Sequence, residues 1–555
     1  MENFPSPSKE TSSPWLNQFK SFAKNSNLWQ SGAALMKSIA LFSIIIGLEL
    51  SAVCQGQIRD LTAQPSEVLA RLHFAGFDQL TGTTNATTMR EVWELPVSIE
   101  LRDQALQKVA GALAQSFTPR TNAALPDASP LIRPLLDDLW RKESYFELRA
   151  RTNSPMEWTL AILLDQERSR LWQTNWIQLS SGWDIMRSGR TNPISFTTID
   201  SWFLINFAQG SQSGSSTNSQ VYQRVRANGR PIAAAKDYWL KAEADFPQLA
   251  QSLSFPSWRQ APSMELIVTG KGLGLRAQAH LAFSKPMPWS IEKWRIPTNT
   301  ITDPANSLIG FTAVQGLAPL LSGESFENNL GMKPAPNQLF IWGQSHAPFQ
   351  ILAALQVGNA TNVLRNLSAN WVPLLNSNLI HYGMGQIESP TNRLQIVWSG
   401  LPIIVPYLSP APEPSSDFVV AGIFPIAPST NPAPSALLAQ LTSRTNLLYY
   451  DWEITESRLT QVRPLVQLLS MFTTIPQTDT NSLSTRWLEA VGSQLGNTIT
   501  EISAESPQAL TFVRNSHIGL SGPELVALAY WLEGTNFPRI NYRISFPPPR
   551  TSRKK

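Results

Sequence analysis

An α+β protein is the fold class this sequence predicts: largely antiparallel sheets covered by amphipathic helices, with candidate divergent strand-helix repeats, preceded by one N-terminal transmembrane helix. Three observations predict it. Ser38 to Cys54 is an apolar run with Lys20, Lys24 and Lys37 before it and no acid among them. Further along, β-rich runs recur, each followed by a small polar residue and then an amphipathic helix. Between these units lie paired strand patterns joined through glycine.

The apolar run would reach roughly 25 Å as a helix at about 1.5 Å per residue, slightly short for a span. Gly32 to Met36 lengthen it if Lys37 snorkels to the headgroups, and Glu49 lies near the far interface. The positive-inside rule then places residues 1–36 in the cytoplasm and 56–555 outside it, as a single-pass inner-membrane protein with a periplasmic or extracytoplasmic body. A cleaved signal peptide is the competing reading, which would leave a secreted or periplasmic body. Ile39 to Leu48 suits its apolar core, Ala52-Val53-Cys54 has the small-x-small form of a cleavage site, and a start at Met36 would give an ordinary leader. A lipid-modified Cys54 is disfavoured, because Val53 stands where such sites take Gly, Ala or Ser.

Composition indicates a packed body. Hydrophobic residues make up 42% and Trp numbers 19, enough for one or more large cores in a chain of this length. Charged residues are only 15% and the net charge is +4, part of it in the tail from Arg550 to Lys555, so there is no electrostatic footprint for nucleic acid. Cys54 is the only cysteine, which excludes disulfides within the chain and thiolate metal clusters.

Residues 1–31, rich in Ser, Pro, Asn and Lys, read as a mobile cytoplasmic tail. After the anchor, Ser66 to Ala75 reads as a short helix ending at Gly76, and Ile99 to Phe117 as a longer one with Leu101, Leu106, Val109 and Leu113 near a 3.6 period. Residues 118–130 read as loop, Leu131 to Trp140 as helix and Tyr145 to Arg149 as strand. Three strand-cap-helix units follow. They are Glu157–Leu164 with Asp165, Phe349–Val357 with Asn359, and Leu447–Ile454 with Thr455. In the last two, Leu364, Leu367, Trp371 and Leu374, and then Leu459, Val462, Val466 and Leu469, share a spacing that puts four side chains on one helical face. Trp239–Ala244, Asp245 and Gln248–Leu253 form an abbreviated fourth copy. Divergent duplication and chance recurrence both remain open, since no residue identity repeats strongly.

Met264–Thr269 and Leu273–Phe283 read as a hairpin through Gly270-Lys-Gly272, and Arg393–Tyr407 with Asp417–Phe424 as a second pair linked by Ser409 to Ser416. The best-marked helix has Ser521 as N-cap, Glu524 completing a capping box, Leu520 stapled on Leu525, and Gly534 at its end. Pro547 to Pro549 and the basic end read as a stiff, solvated tail.

The candidates for chemistry each have a structural explanation. His73, His280, His346, His381 and His517 show no helical i, i+3 or i, i+4 pairing and no HExxH pattern. Gly343-Gln-Ser345-His-Ala347 has the outline of a nucleophile elbow, but Pro348-Phe349 lead into a strand rather than a helix. Gly270-Lys-Gly-Leu-Gly274 has the outline of a phosphate loop, yet no helix N-terminus follows it. Asp137 and Asp138 read as a solvated helix face. Trp289, Trp294, Trp342, Trp371, Trp398 and Trp452 read as core or half-buried, with a sugar-stacking platform as the alternative, and residues 210–218 as a flexible loop. No catalytic, cofactor-binding or metal-binding residue is assigned, and no cofactor is expected.

Tyr450-Asp-Trp-Glu-Ile-Thr455, Gly229-Arg-Pro231 upstream of a Trp-Leu pair, and Gly519-Leu-Ser-Gly-Pro-Glu-Leu525 together resemble uncharacterised membrane-anchored proteins of Verrucomicrobia and related bacteria. The likeness covers roughly residues 60–540 and implies an exported domain of unknown function, with no catalytic residues to carry over. The domain reading is therefore a tail over 1–31, an anchor or signal peptide over 32–54, α+β regions over 60–330 and 331–545, and a Pro-rich basic tail over 546–555. The expected partners are the lipid bilayer, through residues 32–54, and other envelope proteins or polymers. The expected function is a non-catalytic binding, scaffolding or envelope-maintenance module. An envelope-polymer hydrolase working through carboxylates is the alternative, and a lipid-binding or chaperone-like carrier is the third reading.

Overall fold

A computed structural model describes residues 67–81, 85–117, 127–151, 154–181, 194–208, 219–233, 238–252, 261–297, 307–322, 331–345, 350–381, 384–389, 394–401, 404–411, 417–424, 435–470 and 481–539. The expected anchor, Cys54, the loop at 210–218, His346 and both tails lie outside them. Among the described residues no helix is long and apolar enough to cross a membrane.

The first half of the fold begins with β1 (Glu67–Phe74) and four helices, α1 (Phe77–Thr81), α2 (Thr87–Glu94), α3 (Pro96–Phe117) and α4 (Ser129–Arg141). The hairpin β2 (Ser144–Arg151) and β3 (Ser154–Leu163) leads to α5 (Gln166–Ser181), then to the hairpin β4 (Ile194–Ile199) and β5 (Trp202–Ala208) and to α6 (Gln220–Asn228). β6 (Leu240–Asp245), α7 (Phe246–Ser252) and the hairpin β7 (Ser263–Lys271) and β8 (Gly274–Ala282) close this half.

The second half repeats the connectivity. β9 (Leu308–Gln315) and α8 (Ala318–Leu321) precede the hairpin β10 (Gln338–Gln344) and β11 (Gln350–Gln356). α9 (Ala360–Asn366) continues through a π-turn at Leu367–Trp371 into α10 (Val372–His381). β12 (Gln386–Glu388) and β13 (Ile396–Ser399) come before the hairpin β14 (Tyr407–Pro410) and β15 (Phe418–Gly422), and α11 (Ser435–Thr442) follows. β16 (Leu447–Ile454), α12 (Thr455–Ser470) and α13 (Leu483–Gly492) lead to the hairpin β17 (Asn497–Ser506) and β18 (Ala509–Ser516), and α14 (Gly522–Glu533) ends the described fold.

The 18 strands of the described residues join in one open, wholly antiparallel sheet. Outward from the central β8–β18 pairing, one side runs β7, β6, β1, β2, β3, β5, β4. The other runs β17, β16, β9, β10, β11, β15, β14, with β13 and β12 beyond. The two strand orders match term for term. Among the described residues what differs lies in the connections: α1–α4 stand where the second half has α8, and α10, β12–β13, α13 and α14 are added in the second. β3 with α5 occupies the same place in its half as β11 with α9, and β6 with α7 the same place as β16 with α12.

Because cross-strand partners share a face, one row can be followed across the whole sheet. It runs Thr197, Leu204, Ala161, Tyr145, His73, Lys241, Ile267, Gln278, Val513, Glu501, Tyr450, Ala313, Phe340, Ala354, Val420, Ser409. Near one end α6 covers this face, with Val221 and Val225 against Tyr145, Ala161 and Leu204. Near the other, α11 covers it with Leu437 and Leu441 against Phe340, Ala354 and Val420. The opposite face carries α5, whose Trp172 meets Phe203, and α9, whose Val363 and Leu364 meet Val419. Across the central join, α2, α3, α12, α13 and α14 share one apolar cluster built on Val92, Leu101, Leu459, Leu488 and Leu525.

Several expectations are corrected. Ser66–Ala75 is not a helix. Its central part is β1, paired on both sides, and with neither face fully exposed the alternation that would reveal a strand is lost among Leu, Ala and Arg. Arg393–Tyr407 is not one strand. Its ends form β13 and β14, which pair with each other. Thr455 is the first helical residue rather than the cap, and its hydroxyl lies 2.7 Å from that of Thr498. Other signals match the structure. Asp165 accepts from the Arg168 N–H at 2.8 Å, Asn359 from Asn362 at 2.9 Å, and the Ser521–Glu524 capping box is formed.

Candidate functional site

The densest set of ionisable side chains lies on the row face of β1, β2, β6 and β7. A strand interior normally alternates apolar with polar, but β2 places Tyr145, Glu147 and Arg149 on one face, beside Arg71 and His73 of β1. Glu147 is 1% exposed. Its carboxylate accepts from the Tyr145 hydroxyl and Arg149 Nε, each at 2.5 Å, from Arg224 Nη2 of α6 at 2.6 Å and from Arg71 Nε at 3.3 Å. Burial pushes its pKa up, but the Tyr145 hydroxyl and the Arg224 and Arg149 guanidiniums outweigh it and hold the carboxyl at about 2. Burial and the adjacent Glu147 charge raise Tyr145, which stays a phenol.

One step along the strands, His73 joins two partners. Its Nε2 lies 3.0 Å from Glu143 Oε1 and its Nδ1 2.9 Å from the Tyr238 hydroxyl. A carboxylate can only accept, so Nε2 carries a proton toward Glu143, and Nδ1 shares a hydrogen bond with the Tyr238 hydroxyl. Glu143 also accepts from Arg230 Nη2 at 2.7 Å and Gln79 Nε2 at 3.1 Å. Burial disfavours its charge, but His73, Arg230 and Gln79 together pull its pKa below the ordinary value. Burial likewise raises Tyr238, so this chain of groups does not produce a phenolate.

Toward the central strands the face opens to solvent. Lys241 Nζ bridges Glu243 and Glu265, at 3.0 Å each, and its pKa is raised by them. Arg71 reaches Glu243 at 3.5 Å, and His280 lies 3.4 Å from Glu505. Arg71, Glu243, Glu265 and His280 line an open depression of about 360 Å³ at the ends of β1, β6, β7 and β8. With Asp245 also in its lining, acids outnumber bases there, and Arg71 and the neighbouring Lys241 set positive charge beside them.

A second pair of acids sits on the other face, on β16. Asp451 accepts from the Thr312 hydroxyl at 2.6 Å, and Glu453, 2% exposed, accepts from the Gly522 N–H at the start of α14 at 2.7 Å. Burial raises Asp451. Burial and then the Asp451 charge push Glu453 up to about 7, against the Gly522 N–H, Arg458 and Thr455. The two carboxylates are neighbours on one strand beneath α12 and α14, not opposed across a cleft.

The sequence-level candidates find structural places. Gly343 pairs with Gly310, and Arg458 of α12 lies over both; a Cβ on Gly343 would stand 2.2 Å from Arg458 Nη1. Ser345 ends β10 at the surface, and its N–H donates to Ser307. Gly270 to Gly274 is the β7–β8 turn, with Gly272 at φ +57°, and its carbonyls accept the Ala86 and Thr88 N–H groups at the start of α2. Asp137 faces outward to Arg133, but Asp138 does not belong to a solvated face. It is buried, accepting from Arg168 and the Trp172 indole N–H, because adjacent helical residues diverge by about 100°. Trp342 and Trp294 are core, while Trp289, Trp371, Trp398 and Trp452 are partly buried. His517 accepts from the Gly496 N–H at 2.8 Å. Among the described residues no group of three His, Cys, Asp or Glu is placed to hold a metal. The Glu143 and Glu147 networks were not singled out from sequence; the one local signal is the Tyr-x-Glu-x-Arg alternation in β2.

No family model, no curated protein and no solved structure matches this chain.

Proposed function

We propose that this chain is a membrane-anchored, extracytoplasmic binding or scaffolding module, using the solvated strip of its long sheet as its contact surface. The carrying observation is the row from Lys241 to Glu501, left open between the α6 and α11 covers, with Lys241, Glu243, Glu265 and Gln278 partly or fully exposed on strands held rigid from behind. A long, paired, polar sheet face suits an extended partner, an envelope protein or polymer, better than a small substrate. The resemblance to exported proteins of Verrucomicrobia agrees with this reading. So does the apolar run at 32–54, which anchors the body on the outer side of the inner membrane. The matched strand orders support divergent duplication of one ancestral half.

Detergent-solubilised full-length protein should retain an envelope component at low ionic strength, and Lys241→Glu combined with Glu265→Lys should lose that retention while keeping the wild-type melting temperature. Equal retention by wild type and variant would remove the strip from the reading. Digestion of the body by protease in intact spheroplasts checks the topology; resistance until the membrane is opened would reverse it.

A further inference from the structure

On the face that lies under α12 and α14, β16 sets two carboxyls side by side, Asp451 and Glu453, two residues apart on the strand. Their cross-strand neighbours are neutral. Thr312 and Thr500 flank Asp451, Gly310 and Thr498 flank Glu453, and Tyr449 precedes both on the strand. The charged groups around the pair are Arg458 of α12, Arg514 of β18 and Glu524 of α14. Arg514 gives both Nη groups to Glu524, at 2.6 and 3.2 Å, and its Nε to Thr500, while Arg458 donates to Gln461. Among the described residues neither acid of the pair forms an ion pair. Asp451 accepts from the Thr312 hydroxyl, and Glu453 from the Gly522 N–H and from Thr455.

Two adjacent buried carboxyls with no cation in contact resist double ionisation, so the pair keeps a proton into the neutral range. The Gly522 N–H favours the charged form of Glu453, but burial and the Asp451 charge outweigh it. Water would be the remedy, and the packing shuts it out. Glu453 is 2% exposed, and its lid is the start of α14, where a Cβ on Gly522 would lie 3.1 Å from the Leu459 nitrogen and 3.3 Å from the Thr455 carbonyl oxygen. A charged Glu453 is therefore hydrated only if the first turn of α14 lifts from α12. The far end of the helix is held separately, by Lys108 of α3 on the Leu532 and Glu533 carbonyls and by the Glu533 carboxylate on the Ser484 N–H.

We propose that α14 is a proton-operated latch: the Asp451–Glu453 pair holds the first turn of α14 on the sheet while it carries a proton, and lets that turn open when the proton leaves. With the seated form of Glu453 titrating at about 7 and the open form at the ordinary 4.5, seating is complete below 4.5 and is lost as pH rises through about 7. Opening uncovers β16 and β18 on the face opposite the strip. The latch does not depend on the strip being a contact surface.

The test is hydrogen exchange read by mass spectrometry on the full-length solubilised protein at about pH 6 and about pH 8, corrected for the intrinsic rates of the amides. Residues 522–528 should open about tenfold more often at the higher pH, the factor that the two titration points give over that interval. β10 and β11 should not change. Glu453→Gln should remove the pH dependence, and Asp451→Asn should move it to lower pH. His517→Gln should keep it, since that ring sits on the Gly496 N–H, beyond Thr455. Infrared difference spectra of the wild type across the same interval should show the loss of one protonated-carboxyl band, which serves where a variant fails to fold. Equal opening at the two pH values, the same response in Glu453→Gln, acceleration shared by β10 and β11, or no such band would each overturn the latch.

Discussion

Under α6 the sheet holds Arg71, His73, Tyr145, Glu147 and Arg149, whereas under α11, at the matching place in the other half, it holds Phe311, Ala313, Phe340, Trp342 and Tyr450. Strand order and helix placement are the same, yet beside the apolar contacts of Val221 and Val225 the first core carries an ion network, where the second is an aromatic cluster. The layout therefore depends on connectivity and on burying a face, not on the chemistry of the buried groups. The aromatic core gains from area and packing. The ionic core gains little net energy, since desolvation offsets the attraction, but three guanidiniums converge on Glu147 and Arg224 fixes α6 in register on β2.

The largest effect should come from breaking each core. Glu147→Ala leaves Arg71, Arg149 and Arg224 facing one another and should cost about 3–5 kcal/mol in urea unfolding followed by Trp fluorescence. Phe340→Ala, in the aromatic core, should cost a similar amount, about 3–5 kcal/mol, through the cavity it opens. If Glu147→Ala costs under about 1 kcal/mol while Phe340→Ala costs several, the ion network is not integral to the fold and the comparison fails.

The next effect separates the halves by pH. Glu147's folded pKa of about 2 lies below its ordinary 4.5, so its contribution is complete above 4.5 and is lost as pH falls through about 2. Glu453's lies above, at about 7 against 4.5, so its contribution is complete below 4.5 and is lost as pH rises through about 7. Glu453→Gln should therefore stabilise the protein at about pH 8, by at most about 3 kcal/mol, and change little near pH 4.5. Melting curves across that range measure it, and a pH-independent shift would contradict the assignment. The smallest effect belongs to Tyr238→Phe, which removes the hydroxyl on His73 and should cost about 0.5–1.5 kcal/mol in the same urea assay.

What sequence could show follows from distance along the chain. The hairpin at 263–282 and the helix from Ser521 are set by residues within a few positions of one another, and both were legible. β1 was not, because its strand character comes from two neighbours, β2 and β6, that lie far along the chain. The Glu147 network was hidden for the same reason: Arg71 and Arg224 lie 76 and 77 positions away, so a strand reading Tyr-x-Glu-x-Arg looks solvated until its partners fold over it. Asp138 shows the limit within a helix, where Arg168 and Trp172 reach it from α5. The strand order, a property of the whole chain, left only the recurrence of strand-cap-helix units as its trace.

The pairing of β8 with β18, from Leu275–Ser516 to Ala282–Ala509, sets a timetable for the growing polypeptide. By the time Ala282 has left the ribosome, every strand on its side of the sheet has been made, yet β8 must wait for more than two hundred further residues before its second neighbour exists. During that interval a bare row of amide and carbonyl groups is offered to any other unfinished copy nearby. A chain cut short before the final hairpin keeps that row permanently, so premature termination should yield aggregates rather than a soluble half.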